Sequence, residues 1–203
     1  MEAKKRKNKS WFLLTGSLLF LVGMGLVTYD YISNKTINNE EQKALEEFYQ
    51  EEIIVESTVD TPKKEEVKEQ VKVNYVAVLK IPKISLERGL VDPNSYLNNV
   101  NYNLEFVKGT SMPDEENGNV IIAGHSGSAR TSYFRKLDQL SIGDEAFLVY
   151  HGNTYSYKVV DIYDINKTGK AEIIRNKNKK ALTLITCRHG TNKQIVIIFE
   201  LDN

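Results

Sequence analysis

Nineteen consecutive residues, Trp11–Tyr29, carry no charge, and Lys4, Lys5, Arg6, Lys7 and Lys9 stand just before them. As a helix rising about 1.5 Å per residue, such a run reaches roughly 28 Å, near the hydrocarbon thickness of a bilayer. A helix on a soluble core alternates apolar and polar faces, whereas this one is apolar all round. A cleaved signal peptide has a shorter apolar region, about 7–15 residues, that ends in a small-x-small site. This run ends in Val27-Thr28-Tyr29-Asp30. The expectation is a retained single-pass anchor over 11–29 behind a basic tail, 1–10, that stays in the cytoplasm. Everything after residue 30 is then expected outside the cell.

The texture changes after the anchor. Residues 31–72 hold eleven acidic residues against six lysines, with few apolar side chains among them. Such a segment buries too little surface to offset its ordering entropy. It reads as a solvated stalk, 30–72, with a helical turn or two expected within 40–56 because Glu and Lys favour helix. Over the whole chain 27 basic and 27 acidic residues cancel, which gives no electrostatic argument for nucleic acid as a partner. A single cysteine excludes an internal disulfide, and three scattered histidines show no metal-ligand spacing.

From about residue 73 short β-rich runs alternate with turn signals. The runs are Tyr75–Ile81, Gly118–Ala123, Glu145–Tyr150, Asn153–Ile162, Leu182–Thr186 and Ile195–Leu201. Short strands at close spacing point to a sandwich or closed barrel. Ala146–Tyr150 and Thr154–Val159, joined around His151-Gly152-Asn153, read as a hairpin. Thr131–Leu140, with Tyr133, Phe134, Leu137 and Leu140 on one face, is expected to be helical. The domain 73–203 is large enough for one small core.

Two residues within it are placed for chemistry. Cys187 ends the alternating run Leu182–Thr186 and precedes the turn Arg188-His189-Gly190. A lone cysteine is often a buried apolar filler. Outside the cell, however, a free thiol is a liability, and a neighbouring arginine favours the reactive thiolate. His125 likewise leaves an apolar run, in Ala123-Gly124-His125-Ser126-Gly127. The competing account is an ordinary loop histidine. A histidine and a cysteine at two strand ends are what a thiol–imidazole pair requires, since imidazole exchanges a proton near neutral pH and thiolate attacks carbonyl carbon.

Ala123-Gly124-His125 and Leu184-Ile185-Thr186-Cys187, each closing a strand, resemble the two signature segments of sortases. Gly118-Asn119, Ile81-Pro82-Lys83-Ile84 and the stretch Tyr133–Asp144 are similar to other family segments, in the same order. The resemblance covers about residues 74–203. It implies an eight-stranded sortase-type β-barrel with short helices, and cleavage of a Leu-Pro-x-Thr-Gly-like sorting signal near the C-terminus of a secreted protein. It implies that Cys187 forms a thioester acyl-enzyme, that His125 protonates the leaving amine, and that a cell-wall peptide amine resolves the thioester. No nucleotide or redox cofactor is implied. Sortases usually carry an arginine on the last strand, facing the site, and here Lys193 or Gln194 stands in that region. Arg188, the one arginine after the cysteine, is the first candidate for the oxyanion and substrate role, with Gln194 next. Asp114-Glu115-Glu116 with Glu172 could hold calcium, as some sortases do, but a solvated acidic turn is the plainer account. Two other readings compete: a membrane-tethered cysteine peptidase that transfers its acyl group to water, and a non-catalytic surface module that binds peptides.

Overall fold

The computed structural model describes residues 6–55 and 73–202, and its contacts divide the chain into two units, 1–43 and 44–203. The first unit is helical. Helix α1 (Arg6–Val55) begins there, and its span Trp11–Ser33 has a mean hydropathy of 1.9 with none of it buried. By length and composition this span can cross a membrane.

The second unit is built on one sheet. Its strands are β1 (Tyr75–Ile81), β2 (Leu86–Val91), β3 (Glu105–Phe106), β4 (Asn119–Ala123), β5 (Glu145–Tyr150), β6 (Asn153–Asn166), β7 (Ala181–Cys187) and β8 (Lys193–Leu201). They lie in the order β2-β1-β5-β6-β8-β7-β4-β3 and curl into a nearly closed eight-stranded barrel. All neighbours are antiparallel except β4 and β7, which run parallel. The free edge β2 is tied to Asn103, just before β3. Arg88 Nε donates to Asn103 Oδ1 at 2.9 Å, and Asn103 Nδ2 donates to the Gly89 carbonyl at 2.8 Å. Burial pulls the Arg88 guanidinium down to about 10, so it stays charged at neutral pH.

All six runs read as strands are strands, although β6 extends to Asn166. The sequence reading did not single out β2 or β3. The hairpin β5–β6 turns at His151 and Gly152, whose positive φ of 49° and 73° suits a primed two-residue turn.

Thr131–Leu140 does not form the expected α-helix. It forms successive i→i+3 turns, of which Leu137–Gln139 is a 3₁₀ helix. Its fully or nearly buried side chains, Phe134, Leu137 and Leu140, recur every three residues, which matches three residues per turn. The Phe134 N–H is also drawn away, to the His125 carbonyl at 3.0 Å.

Alternation along the strands separates two faces. Leu182, Leu184, Ile195, Ile197, Phe199, Val120 and Ile122 point into the barrel with Leu79, Leu148 and Phe134. Ile121, Ile185, Val196 and Ile198 point outward into a second cluster. A third apolar patch lies outside β1 and β5. There Val78 and Val149 are covered by Leu45, Phe48 and Tyr49 from the end of α1. Tyr49 also donates from its hydroxyl to Glu87 at 2.9 Å, and the Lys80 ammonium sits 4.6 Å from its ring centre. Residues 44–55, read from sequence as part of the stalk, are therefore helical, and Leu45, Phe48 and Tyr49 belong to the barrel's surface packing. Residues 56–72 of that stalk lie outside the described residues.

Candidate active site

The site forms where β4 and β7 end. Their parallel register pairs Ala123 with Ile185, and Gly124 N–H continues it to the Ile185 carbonyl at 3.2 Å. Two residues further on stand His125 and Cys187. The chains stay together past the sheet because Thr186 Oγ1 donates to the Gly124 carbonyl at 2.7 Å and Ser126 Oγ donates to the Cys187 carbonyl. Register and hydroxyl clamps thus bring the two sequence-predicted residues out side by side. Both are partly exposed, open enough for a substrate to reach and enclosed enough to be oriented.

Gly124 explains why glycine precedes this histidine. A Cβ there would lie 2.6 Å from Leu104 Cδ2 and 2.8 Å from Phe134 Cδ2. Only a bare backbone lets the chain pass that close to the core, and this contact sets where His125 emerges.

Alternation assigns the faces around Cys187. Cys187 follows Ile185 by two positions, so it lies on the outward face above the apolar cluster. Gln194 is its direct cross-strand partner on β8 and shares that face. Arg188 departs to the other side. Its Nε donates to Asp164 Oδ1 at 2.8 Å and its Nη2 lies 2.7 Å from the same oxygen. Asp164 is paired with the inward-facing Ile195. The guanidinium is thus held by a carboxylate on the face opposite Cys187, and the geometry favours Gln194 over Arg188 as the group beside the thiol.

The apolar cluster is roofed by the β6–β7 connection. Ile173 packs onto it, and the Tyr163 hydroxyl holds the loop by donating to the Glu172 carbonyl at 3.1 Å and accepting the Ile174 N–H at 2.8 Å. At the strand end a shallow cleft is lined by Ser126, Arg135, Asp138, Thr186, Cys187, Arg188 and His189 together with the apolar Phe134 and Ile195. The sequence reading missed Ser126 and Asp138. A serine directly after the histidine was the available signal for Ser126, and nothing in the sequence marked Asp138. Lys193, at the exposed start of β8, is displaced by one position from the Cys187 partner and so lies on the opposite face.

Asp114, Glu115, Glu116 and Glu172 do not gather: among the described residues no three His, Cys, Asp or Glu side chains form a metal-binding group. Glu115 instead accepts the Met112 N–H at 2.6 Å, closing its own turn.

Comparison with known proteins adds an independent line. Residues 79–201 match the sortase domain family. Sortase D of Bacillus subtilis (strain 168) is 26% identical over 177 residues, covering 83% of this chain and 86% of the relative. Among solved structures, a Clostridium perfringens sortase D5 transpeptidase superposes with a TM-score of 0.59 at 23% identity, over 81% of this chain and 99% of that one. A lid mutant of sortase A from Corynebacterium diphtheriae gives 0.57 at 21% identity, over 64% of this chain and 70% of that one. The strand-end cysteine and histidine, the barrel that carries them and the matched span of 79–201 agree, and the chain belongs to the sortase family of cysteine transpeptidases.

Proposed function

We propose that this sortase cleaves a Leu-Pro-x-Thr-Gly-like sorting signal at the C-terminus of a secreted protein and transfers that protein to a cell-wall peptide amine. The observation that carries the reading is the emergence of His125 and Cys187 together from the parallel pair β4–β7, beside an outward apolar floor. Once the β6–β7 connection moves off Ile121, Ile185 and Val196, an extended signal peptide laid along them brings a scissile carbonyl to the Cys187 sulfur. The Cys187 thiolate attacks the threonine carbonyl carbon, forming a C–S bond. His125, as imidazolium, gives its proton to the departing glycine nitrogen as the C–N bond breaks. An incoming amine then forms the new C–N bond, the C–S bond breaks, and the proton the amine loses returns to the His125 imidazole, restoring the Cys187 thiolate and the imidazolium. Gln194 donates an amide N–H to the developing oxyanion in each half. It lacks the planar cationic fork of arginine, so its hold on that charge is weaker. Neither step uses a nucleotide or redox cofactor.

The apolar span Trp11–Ser33 suits a membrane anchor, and the basic residues before it suit a cytoplasmic N-terminus. The catalytic unit then faces the cell wall, where its substrates arrive during secretion.

The test is the full chain in detergent, incubated with peptides spanning Leu-Pro-x-Thr-Gly variants and with amine acceptors, followed by intact-mass analysis. A Cys187 acyl adduct and an amine-exchanged product are expected. Cleavage with water as the only acceptor would point to a peptidase. No adduct with any peptide would leave a binding module.

A further inference from the structure

The imidazole of His125 can serve Cys187 only if the backbone that carries it is held, and that backbone lies outside any strand or helix. Residues 124–136 run between β4 and the 3₁₀ turn Leu137–Gln139, with Ser128, Ala129 and Arg130 exposed. The stretch after the histidine is tied at several points. The Phe134 N–H donates to the His125 carbonyl at 3.0 Å and closes the loop on itself. Ser126 Oγ donates to the Cys187 carbonyl. Arg135 reaches back from the closing turn, donating from Nε to the Gly127 carbonyl at 2.9 Å and from Nη2 to the Ala129 carbonyl at 3.1 Å. A planar guanidinium set on two carbonyls two residues apart fixes direction as well as distance. Its own backbone is anchored, because Phe134 before it and Leu137 two residues on are fully buried. The Arg135 side chain is exposed and adds little to the core. Ser132 offers a contrast within the same loop. Its Oγ is buried beside Gly127 with no hydrogen-bond partner among the described residues, so it lies in the loop without fastening it.

We propose that Arg135 is a positioning residue for His125: its two-pronged hold on Gly127 and Ala129 keeps the imidazole where its proton reaches the leaving nitrogen. This rests on the transpeptidase reading above, in which His125 is the acid. The step itself is unchanged. The imidazolium N–H bond breaks, the proton goes to the departing glycine nitrogen, and the C–N bond electrons stay on that nitrogen. Arg135 acts by fixing the geometry of that transfer, which needs donor and acceptor within hydrogen-bond reach. A reacting group misplaced by about 1 Å costs up to about 10²-fold in rate. Losing one brace while the Phe134 and Ser126 ties remain is expected to cost less, about tenfold. Arg135 also lines the shallow cleft at Cys187, so its charge is a second route to the thiol. The two routes differ in what they require. Bracing needs the fork, whereas a field at the thiol needs only a cation.

The test uses the full chain in detergent and a sorting-signal peptide that acylates the wild-type enzyme, with adduct formation followed by intact mass in single turnovers. Arg135→Ala is expected to lower the saturating acylation rate about tenfold and to leave the half-saturating peptide concentration within about twofold. The brace holds the loop after His125 and not the floor of Ile121, Ile185 and Val196. Arg135→Lys keeps the charge without the fork and is expected to stay about threefold below wild type. Ser132→Ala is expected to match wild type. Raising salt to about 1 M, where the Debye length falls to about 3 Å, should leave the ratio of wild type to Arg135→Ala unchanged. A wild-type rate in Arg135→Ala overturns the assignment. So does full activity in Arg135→Lys, or a ratio that collapses in salt, since either would give the effect to charge alone. A raised half-saturating concentration at an unchanged rate would make Arg135 a substrate contact and overturn it as well. If Arg135→Ala melts below the assay temperature, Arg135→Lys alone decides between fork and charge. A wild-type enzyme that forms no Cys187 adduct removes the proposed function and this assignment together. An adduct that forms equally fast in wild type and Arg135→Ala removes the assignment alone.

Discussion

Two apolar patches interrupt the outer surface of the barrel, and they are covered in different ways. Outside β1 and β5, Val78 and Val149 lie beneath Phe48, which the end of α1 inserts with Leu45 and Tyr49 around it. Outside β4, β7 and β8, Ile121, Ile185, Val196 and Ile198 are flanked by Tyr163 and Ile165 of β6 and roofed by Val107 and Ile173 from irregular segments. The first cover is helical and reinforced by the Tyr49–Glu87 hydrogen bond. In the second, the segment around Ile173 is held chiefly by the Tyr163 hydroxyl and by Arg175, whose Nη2 donates to the Asn117 carbonyl at 3.1 Å. A loop held this lightly moves at low cost, whereas a helix face does not. The difference teaches that apolar outward positions are covered here in two ways: a patch closed by a helix face, and a patch beside Cys187 closed by loop side chains, which the proposed function assigns to the donor peptide.

Substitutions can break or sharpen that contrast. The largest expected effect is Cys187→Ala, which should abolish acyl-adduct formation by mass spectrometry while leaving the melting temperature within a degree or two of wild type. Gln194→Ala should follow, lowering kcat by about 10²-fold, the scale for losing one oxyanion donor. Arg188→Ala, which removes only a partly exposed ion pair, should leave kcat within a few-fold. Equal losses from the two would return Arg188 to the site.

Gly124→Ala tests the close approach beneath His125. Overpacking should destabilise the catalytic unit by about 1–3 kcal/mol in urea unfolding. Gly127→Ala should be near neutral, because the nearest atom to its added Cβ is Ser132 Oγ at 3.7 Å. Phe48→Ala separates the two patches directly. It should cost about 2 kcal/mol of unfolding free energy, below the range for a central phenylalanine because the site is at the surface, with kcat/KM unchanged under folded conditions. Ile185→Ala should raise the KM for the donor peptide instead. A Phe48→Ala enzyme with normal stability would show that α1 is not part of the barrel's packing.

The smallest effect concerns Lys83 and Asp144, which join Ile81-Pro82-Lys83-Ile84 to the Gly143-Asp144 turn at 2.6 Å. Burial works to raise the Asp144 carboxyl, but the Lys83 ammonium and the Ser141 N–H outweigh it and hold it below its usual value. A carboxyl depressed in the folded state stabilises above its unfolded pKa and loses that contribution as pH falls through the folded one. Lys83→Met should therefore flatten the stability profile below about pH 4, read as thermal midpoints across an acid series.

Much of the site was legible along the chain. Cys187 and His125 stood out because each closes an apolar run and enters a turn, and strand ends are where a barrel exposes side chains. The strands β1, β4, β5, β6, β7 and β8 were legible as β-rich runs bounded by turn signals. Strand β2 was not, since its Glu87, Arg88 and Gly89 break the apolar pattern, and Arg88 is accommodated inside with hydrogen bonds to Asn103 and Tyr133. Strand β3 is two residues long, too short to carry a period.

By itself the sequence determined the apolar span, the β-rich character of the catalytic unit, and the two residues able to exchange a proton and attack a carbonyl. These are local properties, written in charge, periodicity and side-chain chemistry. Tertiary structure decided which residues meet. The parallel register of β4 and β7 puts His125 beside Cys187 across 62 positions of chain. The antiparallel register of β7 and β8 puts Gln194 opposite Cys187, while Asp164 draws Arg188 to the other face. A strand's face is set by counting in twos from a register, and register is a relation between strands that no single segment contains.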